Sequence, residues 1–246
     1  MDLGIAGRTA LVTGASTGLG LASAQALAAE GVTVALASRS AEKLAAAAAT
    51  IDGKVPALAV DLADDASIDT MLVAAVEALG HVDILVANAG GPPPGTFAST
   101  NVDLYPAALQ LNLLAHVRMC KALIPPMRER GWGRVVAITS ATVREPSPNL
   151  MLSNTARAGL TGFLKTTATE VARDGVTVNS IQPGLHATGR LAEIYDDLDA
   201  VAASHPMGRI GEPADFGRIV AFLCSETANY VNGTGLPVEG GSLLES

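Results

Sequence analysis

Short, unbroken apolar runs alternate along the chain with longer segments in which apolar positions recur every three or four residues. The short runs are Ala10–Thr13, Val32–Ala37, Ala57–Val60, Ile84–Ala87, Val135–Thr139, Val176–Ile181 and Leu236–Val238. Helical spacing marks Leu19–Glu30, Ala41–Ile51, Ala66–Leu79, Val102–Arg130, Asn154–Arg173 and Ala214–Ser225. Strands without polar alternation belong to sheets covered on both faces. Strands separated by helix-length segments predict right-handed βαβ crossovers, and so a doubly wound α/β fold with about seven parallel strands. A chain of 246 residues fits one such domain, 1–246. The rhythm breaks between Gly184 and Met207, where Tyr195, Asp196, Asp197 and Asp199 precede His205-Pro206. That stretch reads as a substrate-side flap. Gly90-Gly91-Pro92-Pro93-Pro94-Gly95 is a stiff loop that cannot be helical.

The first strand runs into Thr13-Gly14-Ala15-Ser16-Thr17-Gly18-Leu19-Gly20, and a helix follows at once. Gly14 permits backbone angles closed to other residues, Gly18 lets the main chain approach a phosphate, and Gly20 lets the helix pack close to the sheet. The helix aims its unpaired N–H groups and the positive end of its dipole into the turn. This strand–turn–helix setting predicts a Rossmann-like dinucleotide site lined by Gly14, Ser16, Thr17, Gly18, Leu19 and Gly20. The second strand ends in Ala37-Ser38-Arg39-Ser40, without the carboxylate that NAD sites place there. Arg39 can pair with a 2′-phosphate, and Ser38 and Ser40 can donate to it, which favours NADP(H) over NAD(H). The competing assignment for Arg39 is a solvated charge leading into the next helix.

Composition narrows the partners. Aromatic residues make up only 3% of the chain, and the net charge is −8 with no basic block, which argues against nucleic acid. Cys120 and Cys224 lie in apolar helical patterns without ligand-like spacing, so they are expected to pack as small hydrophobes in a reducing compartment, with no metal site. Residues 1–8 lack a signal-peptide pattern and no apolar run spans a bilayer, so a cytoplasmic protein away from membranes is expected.

With these elements placed, the chain resembles the short-chain dehydrogenase/reductase family over essentially its full length. The landmarks match in order: Thr13–Gly20, Asp61, Ala87-Asn88-Ala89-Gly90, Asn112, Ser140, Asn179-Ser180-Ile181-Gln182-Pro183-Gly184 with Thr188, and Val238-Glu239-Gly240-Gly241. The resemblance implies that Asp61 and Leu62 meet the adenine, with Asn88, Ala89 and Gly90 walling the adenosine ribose. It also sets Pro183-Gly184 beside the nicotinamide and Thr188 at its carboxamide. Read from the residues alone, Asp61 could instead cap a helix, a role Asp64 and Asp65 fit better, and Pro183-Gly184 could be a plain turn. The resemblance further implies a homotetramer or homodimer built on Val102–Arg130 and Asn154–Arg173.

The family's catalytic pattern is where the chain departs. Thirteen residues beyond Ser140, where a Tyr is usual, stands Ser153, and four further on, where a Lys is usual, stands Arg157. Serine is a much weaker acid than tyrosine, and guanidinium does not release its proton. Cofactor binding is therefore expected to survive while the ordinary proton relay does not; losing general acid–base catalysis typically costs about 10²–10⁴-fold. Asn112 would kink its helix and hold water near Arg157, and Ser140 with Ser153 would form a partial oxyanion site. His186, following Pro183-Gly184, is a candidate proton donor or a loop histidine facing water. Arg144 and Glu145 are candidates for binding a carboxylate or carrying a proton, or are simply solvated, and Tyr195 could swing over the substrate. Tyr195, Leu191, Ile194 and Met151 would make a moderately apolar pocket. Three functions follow. The first is an NADP(H)-dependent reductase or dehydrogenase of a small carbonyl or alcohol, such as a 3-oxoacyl compound, with a non-standard proton donor. The others are a non-redox lyase or isomerase on the same scaffold, and a catalytically silent NADP(H)-binding protein.

Overall fold

The computed structural model describes residues 2–192 and 195–243. Seven strands form one all-parallel sheet in the order β3-β2-β1-β4-β5-β6-β7. They are β1 (Thr9–Thr13), β2 (Thr33–Ser38), β3 (Ala57–Ala59), β4 (Ile84–Ala87), β5 (Gly133–Ile138), β6 (Val176–Pro183) and β7 (Gly235–Val238). The order reverses between β1 and β4, where Val12 lies opposite Leu36 on one side and Val86 on the other. A crevice opens at the carboxyl ends of the strands at such a switch point.

Alternate side chains of each strand feed two separate apolar layers, as the two-residue period requires. Leu11, Leu85 and Val135 pack under α3 (Asp65–Leu79), α5 (Ala115–Glu129) and α6 (Met151–Val171), with Met71, Met119 and Leu160 completing the layer. Val12, Leu36 and Val136 pack under α1 (Gly18–Ala29), α2 (Ala41–Ala48) and α9 (Pro213–Leu223), against Leu27, Leu44 and Phe216. The helices α1 and α9 touch backbone to backbone, because a side chain at Gly217 would collide with the Ala22 carbonyl.

The long helical pattern Val102–Arg130 is not one regular helix. It divides into a 3-10 turn (Val102–Leu104), α4 (Tyr105–Leu109), a π turn (Gln110–Leu114) and α5. Apolar spacing alone does not register the extra residue that a π turn inserts. The helix expected from Asn154 begins at Met151, because the loop ahead of it docks on Gly95. The expected flap carries α7 (Gly189–Ala192) and α8 (Leu198–Ser204), the latter capped by the Asp197 carboxylate. No helix among the described residues is long and apolar enough to cross a membrane.

Both cysteines are buried and unpaired, and burial pushes their thiols up to about 12, as small hydrophobes require. His116, on the inward face of α5, is wholly buried, and burial with the Arg157 charge lowers its pKa to about 3. The unfolded chain takes up a proton on this imidazole as pH falls below its ordinary 6.5, whereas the folded chain refuses it down to about 3. Stability is therefore complete above 6.5 and lost as pH falls through that window, at up to about 1.4 kcal/mol per pH unit from this group. Urea unfolding at pH 7 and pH 5 should show the wild type losing more stability than His116→Gln; equal losses would contradict the burial.

Candidate dinucleotide and active site

The dinucleotide crevice is built where β1 meets α1. Thr13 Oγ1 donates to the Asn88 carbonyl at 2.8 Å and accepts from the Asn88 N–H at 2.9 Å, joining the ends of β1 and β4. Asn88 Nδ2 donates to the Gly14 carbonyl at 3.2 Å, so this side chain braces the Gly-rich turn. Gly14 has φ +57°, and a Cβ there would stand 2.6 Å from Asn88 Nδ2. Gly18, at φ +59°, would bring a Cβ to 3.3 Å from the Thr188 methyl, which places the turn and Thr188 on facing sides of the crevice. A Cβ on Gly20 would collide with the Gly14 carbonyl. Thr17 caps α1 in an extended conformation with no side-chain hydrogen bond, so the opening amides of the helix remain open to an anion. The cradle fits a diphosphate.

The adenosine end is equally legible. Ser16 Oγ and Ser38 Oγ share a 2.9 Å hydrogen bond that ties the Gly-rich turn to the end of β2. Arg39 beside them is exposed and makes no ion pair or hydrogen bond among the described residues. Ser40 caps α2, accepting from the Lys43 N–H at 3.2 Å. Asp61 Oδ1 accepts from the Ala63 N–H at 3.0 Å, while Asp64 takes the cap of α3, leaving Asp61 exposed beside buried Leu62.

Around the expected reaction centre, Ser140 lies two residues beyond β5 and caps a 3-10 turn (Ala141–Val143); its Oγ accepts from Thr142 N–H at 3.2 Å and from Thr142 Oγ1 at 2.9 Å. Ser153 and Arg157 stand one turn apart on α6, Ser153 half-buried and Arg157 buried. The Arg157 guanidinium donates to the Ile138 carbonyl at 2.8 Å and to the Ala89 carbonyl at 3.4 Å, clamping the ends of β5 and β4. Burial lowers its pKa to about 10, so the cation persists at neutral pH. Asn112 occupies the π turn and donates from Nδ2 to the Gly90 carbonyl at 2.8 Å; its Oδ1 is buried without a partner. The structure thus brings Asn112, Arg157 and the Ala89-Gly90 backbone together, while Ser140 follows β5 and Ser153 lies in the first turn of α6.

Other candidates lie elsewhere. His186 is buried, its Nδ1 lies 3.2 Å from the Gly184 carbonyl, and its ring meets Phe216 edge-on at 5.0 Å. It is therefore engaged by α9 and by Gly211 rather than by the serines, and burial holds its pKa below the ordinary value. Arg144 donates to Gln182 Oε1 and to the Gly235 carbonyl, both at 2.7 Å, so it braces β6 and β7 instead of waiting for a substrate carboxylate. Arg190 Nη2 donates to the Pro92 carbonyl at 3.3 Å, docking the flap on the loop after β4. Leu191 is buried, Met151 half-buried and Tyr195 exposed; Ile194 lies outside the described residues. Sequence reasoning missed His116, whose signal was a lone imidazole one turn past Asn112 among Ala115, Met119 and Cys120.

The model of a family described as enoyl-(acyl carrier protein) reductase matches residues 14–242. The chain is 34% identical to a 3-oxoacyl-(acyl-carrier-protein) reductase of Haemophilus influenzae over 239 residues, covering 97% of this chain and 99% of that one. The L-sorbose reductase of Gluconobacter frateurii, solved with NADPH and L-sorbose, superposes with a TM-score of 0.93 at 34% identity and full coverage of both chains. An NADPH-bound short chain oxidoreductase of Pseudomonas aeruginosa PAO1, described as containing an atypical catalytic center, gives a TM-score of 0.90 at 30% identity, covering 97% of this chain and 98% of that one. With the sheet order, the Gly-rich cradle and these matches in agreement, the chain belongs to the short-chain dehydrogenase/reductase family of NAD(P)-dependent oxidoreductases.

Proposed function

We propose that the protein is an NADP(H)-dependent reductase or dehydrogenase of a small carbonyl or alcohol, with a 3-oxoacyl compound as the first substrate class to test. The Ser16–Ser38 pair beside an exposed, uncommitted Arg39 carries the cofactor choice. A guanidinium and hydroxyls at the end of β2 suit a 2′-phosphate, and no carboxylate stands there to repel it. Two relatives, the L-sorbose reductase and the Pseudomonas oxidoreductase, were solved with NADPH, which supports the same choice. The substrate class rests on the Haemophilus relative's name.

The bound coenzyme supplies or accepts the hydride. The chain's own residues must hold the substrate oxygen and manage its proton. Ser140 and Ser153 offer hydroxyl donors to an oxygen that gains negative charge, in place of the family's tyrosine. Arg157 stays charged and stabilises that charge through the ends of β4 and β5 without giving up a proton. Asn112 Oδ1 is left to hold a water at the π turn. Assembly as a homotetramer or homodimer through Val102–Arg130 and Asn154–Arg173 accords with the exposed Val102, Leu104 and Leu114, and buried free thiols accord with a cytoplasmic setting. The commitment of Arg157 to backbone carbonyls favours one second reading, an NADP(H)-binding protein without turnover.

Calorimetric titration tests the cofactor choice. The wild type should bind NADPH more tightly than NADH. Arg39→Ala should weaken NADPH about tenfold or more, the scale of a charge-assisted hydrogen bond, and leave NADH unchanged. Equal affinities in the wild type would overturn the NADP(H) reading. Turnover of 3-oxoacyl thioesters that falls in Ser140→Ala separates the reductase from the silent binder, for which NADPH binds without being consumed.

A further inference from the structure

His116 has no part in the reading above, yet it is an unusual side chain to bury. It is fully enclosed, and neither ring nitrogen makes a hydrogen bond of normal geometry, although the Ala87 carbonyl faces the ring. Asn112 Oδ1, one turn earlier on the same helical segment, is likewise buried and unpaired. Arg157 spends two hydrogen bonds on the Ile138 and Ala89 carbonyls, and its charge is felt at His116. Guanidinium carries five N–H donors, so this group has donors to spare. Left dry, each unpaired polar atom would carry its full desolvation penalty. Protein interiors meet that cost with ordered water where several polar groups converge. Three unpaired atoms from two side chains, close to a guanidinium and to the carbonyls it holds, make such a place.

We propose that Asn112, His116 and Arg157 enclose ordered water, and that His116 is the residue that passes protons toward the serine hydroxyls in front of Arg157. A neutral imidazole has one donor and one acceptor, so it can give a proton from one nitrogen while taking one at the other. Neither the guanidinium nor an amide at this position can do so. For carbonyl reduction the balance is simple. Ser153 gives its hydroxyl proton to the substrate oxygen and regains one from the enclosed water. That water is recharged from His116, whose second ring nitrogen regains a proton that ultimately comes from bulk water. One solvent proton ends on the product alcohol, and His116 ends as its other tautomer. In alcohol oxidation the same steps run backwards. The proton-passing role rests on the reductase reading, whereas the enclosed water rests on geometry alone.

A crystal structure of the wild-type protein that resolves waters tests the geometric half. Water within hydrogen-bond distance of Asn112 Oδ1 and of a His116 nitrogen is expected, and a dry interior there overturns the proposal whatever the activity. Turnover in H₂O and D₂O tests the other half, with unfolding midpoints and NADPH titrations run alongside. His116→Gln keeps a donor and an acceptor, so NADPH affinity should not change, while turnover falls about tenfold or more and the solvent isotope effect rises. A purely structural histidine would leave the isotope effect unmoved in any folded variant, and that result overturns the role. If His116→Gln does not fold, His116→Asn takes its place in the same comparison. A wild type that binds NADPH but consumes none overturns the proton-passing role together with the reductase reading, while water found at His116 would still uphold the chamber, so the two failures are told apart.

Discussion

Thr13 and Asn88 exchange two hydrogen bonds between the carboxyl ends of β1 and β4, at the point where the strand order turns back on itself. The Gly14 carbonyl hangs from the same asparagine, and the left-handed turn at Gly14 passes too close to it for any side chain. From that anchor the opening amides of α1 are set facing the crevice. The Ser16–Ser38 contact then carries the geometry to β2 and its Arg39. On the other side of Asn88, the backbone of Ala89 and Gly90 receives hydrogen bonds from Arg157 and Asn112. Cofactor cradle and reaction centre are thus two arms of one strand-end junction.

Burying a cation is expensive unless its donors are used, and Arg157 meets that condition by binding carbonyls at the ends of two strands. A lysine ammonium could not span both carbonyls with the same planar fork. The price is chemical: a group committed to holding β4 and β5, and unable to release a proton, does not conduct protons. On the proposed reading the burden moves to hydroxyls, water and the neutral imidazole of His116, all of which keep a donor and an acceptor.

The alternation of strands and helices was legible because the central strands β1, β4 and β5 are buried on both faces and the helices on one, so the periods of the pattern switch cleanly. The Gly-rich turn was legible for a related reason, since Gly14, Gly18 and Gly20 each answer a distinct steric demand. Less was visible where function depends on side-chain direction. Counting from Ser140 found Ser153 and Arg157, but not that the guanidinium turns to Ile138 and Ala89. His186 follows Pro183-Gly184 in sequence, yet its ring turns to Phe216, and Arg144 turns to Gln182. The π turn at Asn112 leaves no trace in apolar spacing, and His116 was hidden because a single polar residue inside an amphipathic helix carries no periodic signal.

On the proposed reading, the junction of β1, β4 and β2 holds a diphosphate on backbone amides and a 2′-phosphate on Arg39. A crystal structure of the protein with NADP⁺ tests it most directly. The diphosphate should lie against the first amides of α1, with the 2′-phosphate paired to Arg39 and within reach of Ser38. A dinucleotide bound with its 2′-phosphate free of Arg39, or a crevice still empty at saturating NADP⁺, would contradict it.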